Sequence, residues 1–211
     1  TRARRWDFPV IVPDLPPVVF DGTETADLRY RYDNDDNRII KWSHDPNLFH
    51  VVRDAYTLYV FNSLEERRAP YNTAGSNDYD ISEMTEVPYL GVGGDNIARV
   101  VYQPDVPLSS SAAQHVFYEL GDHLGSTSTV LDKATGELVE KATYQPYGAA
   151  DSDYRPGRWG TFRDDYRFTG KEDDVEVGLT YFGKRFYSPN LNRWVSPDPL
   201  AVHDAGKADL N

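Results

Sequence analysis

Along the chain, apolar or aromatic positions alternate with polar ones in short runs, and Asp, Asn, Gly or Pro separates one run from the next. The stretch LRYRYDNDDNRIIK (Leu28 to Lys41) alternates, pauses over an Asx-rich segment and resumes at Arg38, Ile39 and Ile40. This predicts strand, turn, strand, because Asp and Asn bond their own backbone and tolerate positive φ. YTLYVFN (Tyr56 to Asn62) is aromatic and β-branched enough for a buried strand. The rhythm returns at Ile97 to Gln103, His115 to Leu120, Ser128 to Asp132 and Leu138 to Tyr147. Ala134 to Glu137 reads as a turn in which Gly136 supplies positive φ. No stretch sustains a helical period with caps at both ends, and Asp27 to Lys41 and Glu172 to Tyr187 both fit alternation better. The fold is expected to be mostly β.

Two stretches break the rhythm. PVIVPDLPPVVF (Pro9 to Phe20) reads as an extended lead-in, since Pro lacks a donor and is tolerated at edges and connections. From Glu65 to Pro88 the apolar density drops while Asn, Ser, Gly and Asp accumulate, which predicts a long loop within 63–95. Tyr30 to Asp33 is echoed by Tyr118 to Asp122 and by Tyr144 to Gly148, with Tyr near the strand end and Asp or Gly at the turn. Such repetition predicts stacked strands in which no unit closes its own core, and a fragment of such an array has open edges.

Composition narrows the function. Apolar residues make 39% of the 211 positions, and exchanging the 15 Tyr for the 15 Gly leaves that share unchanged. Globular chains reach about 45–50% on the Gly-containing set, so this one is core-poor. Aromatics at 13% argue against disorder. A net charge of −12 disfavours nucleic acid and anionic membrane surfaces. The absence of cysteine excludes disulfides, thiolate zinc sites and cysteine nucleophiles. The longest near-apolar run, around Phe8 to Val12, is cut by Pro9 and Pro13, so no transmembrane span is expected. Thr1 stands where a start Met would, and the chain reads as a piece of something longer, without a signal peptide.

Conventional catalytic patterns are missing. No GxSxG string occurs, the five histidines show no HExxH spacing, and Gly91 to Gly94 lacks the Lys of a phosphate loop. Asp173 and Asp174 are adjacent, so on a strand they point to opposite faces and make no glycosidase pair. No metal site, cofactor or independent enzyme is expected.

Gly121 to Gly148 (GDHLGSTSTVLDKATGELVEKATYQPYG), followed by Tyr166 to His203, closely resembles the core of RHS-repeat, or YD-repeat, proteins. The likeness covers roughly 115–211 in order, and LRYRYDNDDNRIIK resembles one YD repeat upstream. Similar sequences include the C component of Tc toxin complexes, type VI secretion RHS effectors and the teneurins. The resemblance implies a segment of a spiral β-sheet shell, a hollow cocoon, with a C-terminal plug region. It also implies an order of lead-in (1–25), YD-repeat shell strands (26–114) and RHS core region (115–211), the last ending before the cleavage site. The implied partners are the remainder of the same shell, an enclosed C-terminal toxin, and a delivery protein of a secretion system or Tc complex. The implied setting is an exported bacterial toxin component, assembled in the producing cell's cytoplasm.

The family's motif positions fall on Tyr32 and Asp33, on Asp122, His123 and Gly125, on Gly170 and Lys171, and on Gly178 and Pro197. RWVSPDPL (Arg193 to Leu200) resembles the family's self-cleavage segment and places Arg193 and Asp198 in it. Aspartyl proteolysis needs two carboxyls close enough that one keeps its proton. Asp204 and Asp209 are candidates for the second, Asp209 being the better match, and Arg193 would hold a carboxylate ionised. The residues themselves leave plainer readings open: turn architecture at Asp122 and His123, solvated strand connections at Glu172 and Asp174, and a structural Arg193–Asp198 salt bridge. LTYFGKRFY (Leu179 to Tyr187) reads as an inner shell strand or as a stacking platform. A surface adhesion or glycan-binding module using exposed Tyr and Trp is the alternative function.

Overall fold

The computed structural model describes residues 2–7, 23–44, 54–72, 78–79, 84–93, 95–102, 114–160 and 162–198. The expected lead-in from Pro9 to Phe20 and the candidates Asp204 and Asp209 lie outside the described residues. The first sheet runs through β1 (Arg2–Asp7), β2 (Thr23–Tyr32), β3 (Arg38–His44), β4 (Ala55–Phe61), β5 (Leu64–Asn72), β6 (Asp78–Tyr79), β7 (Thr85–Val92), β8 (Asp95–Tyr102), β9 (Gln114–Gly121), β10 (Thr127–Asp132), β11 (Leu138–Tyr144) and β12 (Ala150–Tyr154). Spatial order follows chain order, all pairs are antiparallel, and only the short β6 leaves the path, pairing with β5. Among the described residues β1 and β12 are terminal strands, so the sheet is open. A second sheet of four short strands follows: β13 (Glu172–Asp174), β14 (Leu179–Tyr181), β15 (Phe186–Ser188) and β16 (Arg193–Trp194).

Two expectations need correction. The loop expected within 63–95 is strand on both flanks, where β5 and β7 pair from Leu64↔Pro88 to Arg67↔Thr85, and its middle, 73–77 and 80–83, lies outside the described residues. Its low apolar density misled because Glu65 and Arg67 point inward and are neutralised there rather than hydrated. The segment LTYFGKRFY forms the β14–β15 hairpin of the second sheet, not a strand of the shell wall. Its strands are three residues long, because Gly183, at φ +82, turns the chain between them.

The recurrent Tyr and Asp pattern is a recurrent turn. Asp33 N donates to Asn37 O at 2.9 Å, Asp36 N to Asp33 O at 3.3 Å, and Asp36 has φ +64. The same two bonds link Asp122 to Ser126 and Gly125 to Asp122, with Gly125 at φ +75. They appear again between Gln145 and Ala149 and between Gly148 and Gln145, with Gly148 at φ +85. This is a type I turn closed by a left-handed residue, the three-residue hairpin connection. In the first two copies the Asp carboxylate also takes the N–H groups two and four residues on, at 2.8–2.9 Å. Hydrogen bonding from Asn37 holds the Asp33 carboxyl below its ordinary range.

One face of the large sheet is roofed. After β12 a 3-10 turn (Gly157–Trp159) leads the chain back, and residues 162–174 run across the sheet as a strap. Trp159 and Phe162 pack on Val87, Tyr89, Val101, Phe117, Val130 and Val139, which are buried and come from five strands. His115, Phe117, Trp159 and Phe162 form a nest with ring centroids 5.3–5.8 Å apart. This core mixes residues from before and after position 115, so among the described residues the strands on the two sides of that position share one core.

Candidate functional site

Beyond Phe162, the strap meets the sheet through charged side chains. Strand alternation sends Glu172 and Asp174 of β13 to the same face, where they meet Arg38 and Lys41 of β3. Arg38 Nη1 donates to Glu172 Oε2 at 2.9 Å and Nη2 to Asp174 Oδ2 at 2.9 Å, while Lys41 Nζ lies 3.1 and 3.2 Å from the two carboxylates. Tyr30 and Tyr59 donate their hydroxyls to Asp174 and Glu172 at 3.0 and 2.5 Å. Burial alone would discharge Arg38, but Glu172 and Asp174 more than offset it and hold the guanidinium charged. Asp174 is likewise held below the ordinary range by Lys41 and Arg38 against the effect of its burial.

A second cluster lies under the middle of the strap. Arg99 of β8 donates through Nη1 to Glu119 Oε1 at 2.5 Å and to Asp164 Oδ1 at 3.1 Å, and through Nη2 to Phe162 O at 2.8 Å. Glu119 Oε2 and Asp164 Oδ2 are buried and accept no hydrogen bond among the described residues. Burial, then the Asp164 charge, pushes the Glu119 carboxyl up to about 7. Beside it Arg67 meets Glu65 and Asp165, both at 2.8 Å, and Tyr166 donates to Glu65. At the far end Arg167 bridges Asp153 of β12 at 2.8 Å and Glu140 of β11 at 3.3 Å.

Most of the motif residues turn out to be connectors. Ser126 Oγ accepts Thr169 N at 3.0 Å, Thr127 N donates to Arg167 O at 3.1 Å, and a Cβ on Gly170 would sit 3.3 Å from Gly125 O. The Asp122 turn is thus the seat of the strap. His123 is exposed on that turn, and Lys171 and Pro197 are exposed as well. Tyr32 packs on Tyr181 at 6.0 Å, and Gly178, at φ +67, closes the turn after Asp174. Glu172 and Asp174 are fully buried, which corrects the solvated connection expected for them.

The cleavage-type residues are arranged differently from expectation. Asp198 Oδ2 accepts from Arg185 Nη1 at 3.0 Å, and both side chains are largely buried. Arg193 is exposed on β16, opposite Ser188, so the expected Arg193–Asp198 pair is replaced by Arg185–Asp198. Neighbours on a strand point to opposite faces, and it is Trp194 that turns toward Arg185.

The sequence reading missed Arg38, Lys41, Arg67, Arg99, Glu119, Glu140 and Arg167. A signal was present: Glu119 shares strand parity with His115 and Phe117, and Arg99 with Val101, so each was due to face inward.

A model of the teneurin YD-shell family matches residues 97–208, more than half of the chain. The chain belongs to that family. It is 26% identical over 199 residues to toxin subunit YenC1 of Yersinia entomophaga, spanning 94% of this chain and 19% of that protein. Toxin subunit YenC2 of the same organism is 29% identical over 183 residues, 86% of this chain and 18% of its own. The double-stranded DNA deaminase toxin A of Burkholderia cenocepacia is 26% identical over 207 residues, 83% and 14% respectively. The chain therefore spans about a fifth or less of these relatives' lengths. The crystal structure of TcdB2-TccC3-Cdc42 superposes with a TM-score of 0.69 at 25% identity, covering 86% of this chain and 8% of that one. TcdB2-TccC3 gives 0.70 at 22% identity over 96% and 9%, a likeness of fold. This YD-shell segment is an open β wall of the kind found in Tc toxin subunits, and its role is structural.

Proposed function

We propose that this chain forms part of the wall and plug of a shell that encloses a C-terminal cytotoxic polypeptide until delivery. The observation that carries the reading is the open sheet with a roof on one face. β1 and β12 end without further partners among the described residues, while the strap and second sheet lie on one face with contacts from β2 to β12. Open edges call for more of the same sheet, and the remainder of the shell supplies them. The partners are that remainder, the enclosed polypeptide and a delivery protein of a Tc complex or secretion system. The setting is an exported bacterial toxin component.

We further propose that Asp198 takes part in a single self-cleavage that frees the enclosed polypeptide. In such a hydrolysis one carboxylate accepts a proton from water as the water oxygen bonds to the scissile carbonyl carbon. The C–N bond then breaks, and the leaving amine takes the proton of the second carboxyl. Arg185 keeps Asp198 oriented, and Asp209 or a carboxyl further on serves as the second group. The test is mass spectrometry of the full-length gene product: Asp198→Asn should leave it intact, and unchanged processing would remove Asp198 from the reaction. A full-length chain whose protease-resistant mass excludes its C-terminal portion would refute enclosure.

A further inference from the structure

Asp198 meets Arg185 because the intervening chain is tied back on β15. Val195 N donates to Phe186 O at 2.9 Å, and Phe186 N donates to Ser196 Oγ at 2.9 Å. Those bonds set the backbone, but the guanidinium stands at the end of a long side chain with several rotatable bonds. A ring lies against it. Arg185 Cζ lies 4.3 Å from the centroid of Trp194, and Trp194 is itself held edge-on by Phe182 at 5.1 Å and Tyr187 at 5.3 Å. The pair is mostly withdrawn from water, with 14% and 11% of the two side chains exposed. Arg185 Nε is buried and donates to nothing among the described residues. A guanidinium anchored by so few hydrogen bonds takes its orientation from the face on which it stacks, and that stacking strengthens as water is excluded.

We infer that Trp194 is a positioning residue for the self-cleavage: its ring holds Arg185 in the plane that presents Nη1 to Asp198. The inference rests on the role proposed for Asp198, and its own content is that the ring face, rather than apolar volume, is what the site needs. The strand alternation that turns Trp194 toward Arg185 turns its sequence neighbour Arg193 outward.

The test is the rate of self-cleavage in the full-length gene product, followed by intact-mass spectrometry after synthesis, for wild type, Trp194→Phe, Trp194→Leu, Arg185→Lys and Asp198→Asn. Phe keeps a ring face and should cleave within about twofold of wild type. Leu keeps volume without the face and should cleave about tenfold more slowly, the size of a partly desolvated cation–π contact. Lys keeps the charge and loses the planar stack, so it should slow the reaction similarly even if the Leu variant does not fold. Cleavage of Asp198→Asn at the wild-type rate would overturn the reading of Asp198 and this inference with it. If Asp198→Asn is inert, then Leu at the wild-type rate, or Phe as slow as Leu, overturns only the role of Trp194.

Discussion

Glu119 offers a measurement that separates a charged roof from an apolar one. Its carboxyl is pushed up to about 7 from the ordinary 4.5 by burial and by the charge of Asp164, with Arg99 offsetting part of the rise. When the strap opens, Glu119 is hydrated and returns toward its ordinary value. The docked form therefore holds a proton that the open form releases over the interval between those values. The contribution is fully present below pH ~4.5 and lost as pH rises through about 7. Linkage over two and a half units gives about 2 kcal/mol between pH 5.5 and 8, or roughly a thirtyfold fall in the closed-to-open ratio. Asp164, Glu65 and Asp173 are raised too, chiefly by burial, and add in the same direction. Asp165, Asp174 and Asp153 are held low, so their contributions are lost only in acid, below this window. The assay is hydrogen exchange of the full-length shell at both pH values, corrected for intrinsic rates and read in peptides covering 162–174. Glu119→Gln removes the titrating group while keeping an acceptor for Arg99, so it should flatten most of the change and protect the strap better than wild type at pH 8. Equal protection of the wild type at both pH values, or the same slope in the variant, would refute the assignment.

Other outcomes follow from the same contacts. Arg38→Met leaves Glu172 and Asp174 buried with Lys41 as their remaining close cation, and should destabilise the shell by about 3–5 kcal/mol in urea titrations. Gly148→Ala would place a Cβ 2.6 Å from the Phe168 ring at φ +85, whereas Gly136→Ala opens onto free space at φ +71. The second should cost about 1–2 kcal/mol for backbone strain alone, and the first clearly more, as read from denaturation midpoints. Asp122→Ala removes the acceptor of Leu124 N and Ser126 N and should loosen the strap's seat by about 1–2 kcal/mol, visible as faster exchange at Thr169. Arg185→Ala should slow self-cleavage far more than Arg193→Ala, and the reverse order would restore the pairing read from the sequence.

The wall was legible where alternation and turn chemistry agreed. Leu28 to Lys41 carries both signals, and β2, the Asp33 turn and β3 appear there as read. Gly136 likewise takes the positive φ asked of it. The β5–β7 region was not legible, because a strand that meets a charged strap looks hydrophilic, and a one-dimensional pattern cannot distinguish neutralised charge from hydrated charge. The site failed for a related reason. Arg193 sits close to Asp198 in sequence, whereas Arg185 reaches it across the β15–β16 pairing, and local spacing says nothing about which arginine the sheet turns inward.

The roof's chemistry bears on what a wall of this kind must do. Among the described residues Glu65, Glu119, Glu140, Asp153, Asp164, Asp165, Glu172, Asp173 and Asp174 meet Arg38, Lys41, Arg67, Arg99, Arg155, Arg163 and Arg167, nine carboxylates against seven cations. Glu119 and Asp164 share one Arg99 nitrogen, and each keeps a buried oxygen without a hydrogen bond among the described residues. Buried ion pairs add little net stability over apolar packing, since desolvation offsets most of their attraction, but stripping a charge of its partner costs about 3–5 kcal/mol. A strap displaced by one residue would turn Asp164 and Glu172 away from their cations and leave several such charges stranded. Charge therefore sets where the strap lies more than how tightly it binds. Because its partners run from β2 to β12, one correctly placed segment ties the two ends of the roofed sheet together.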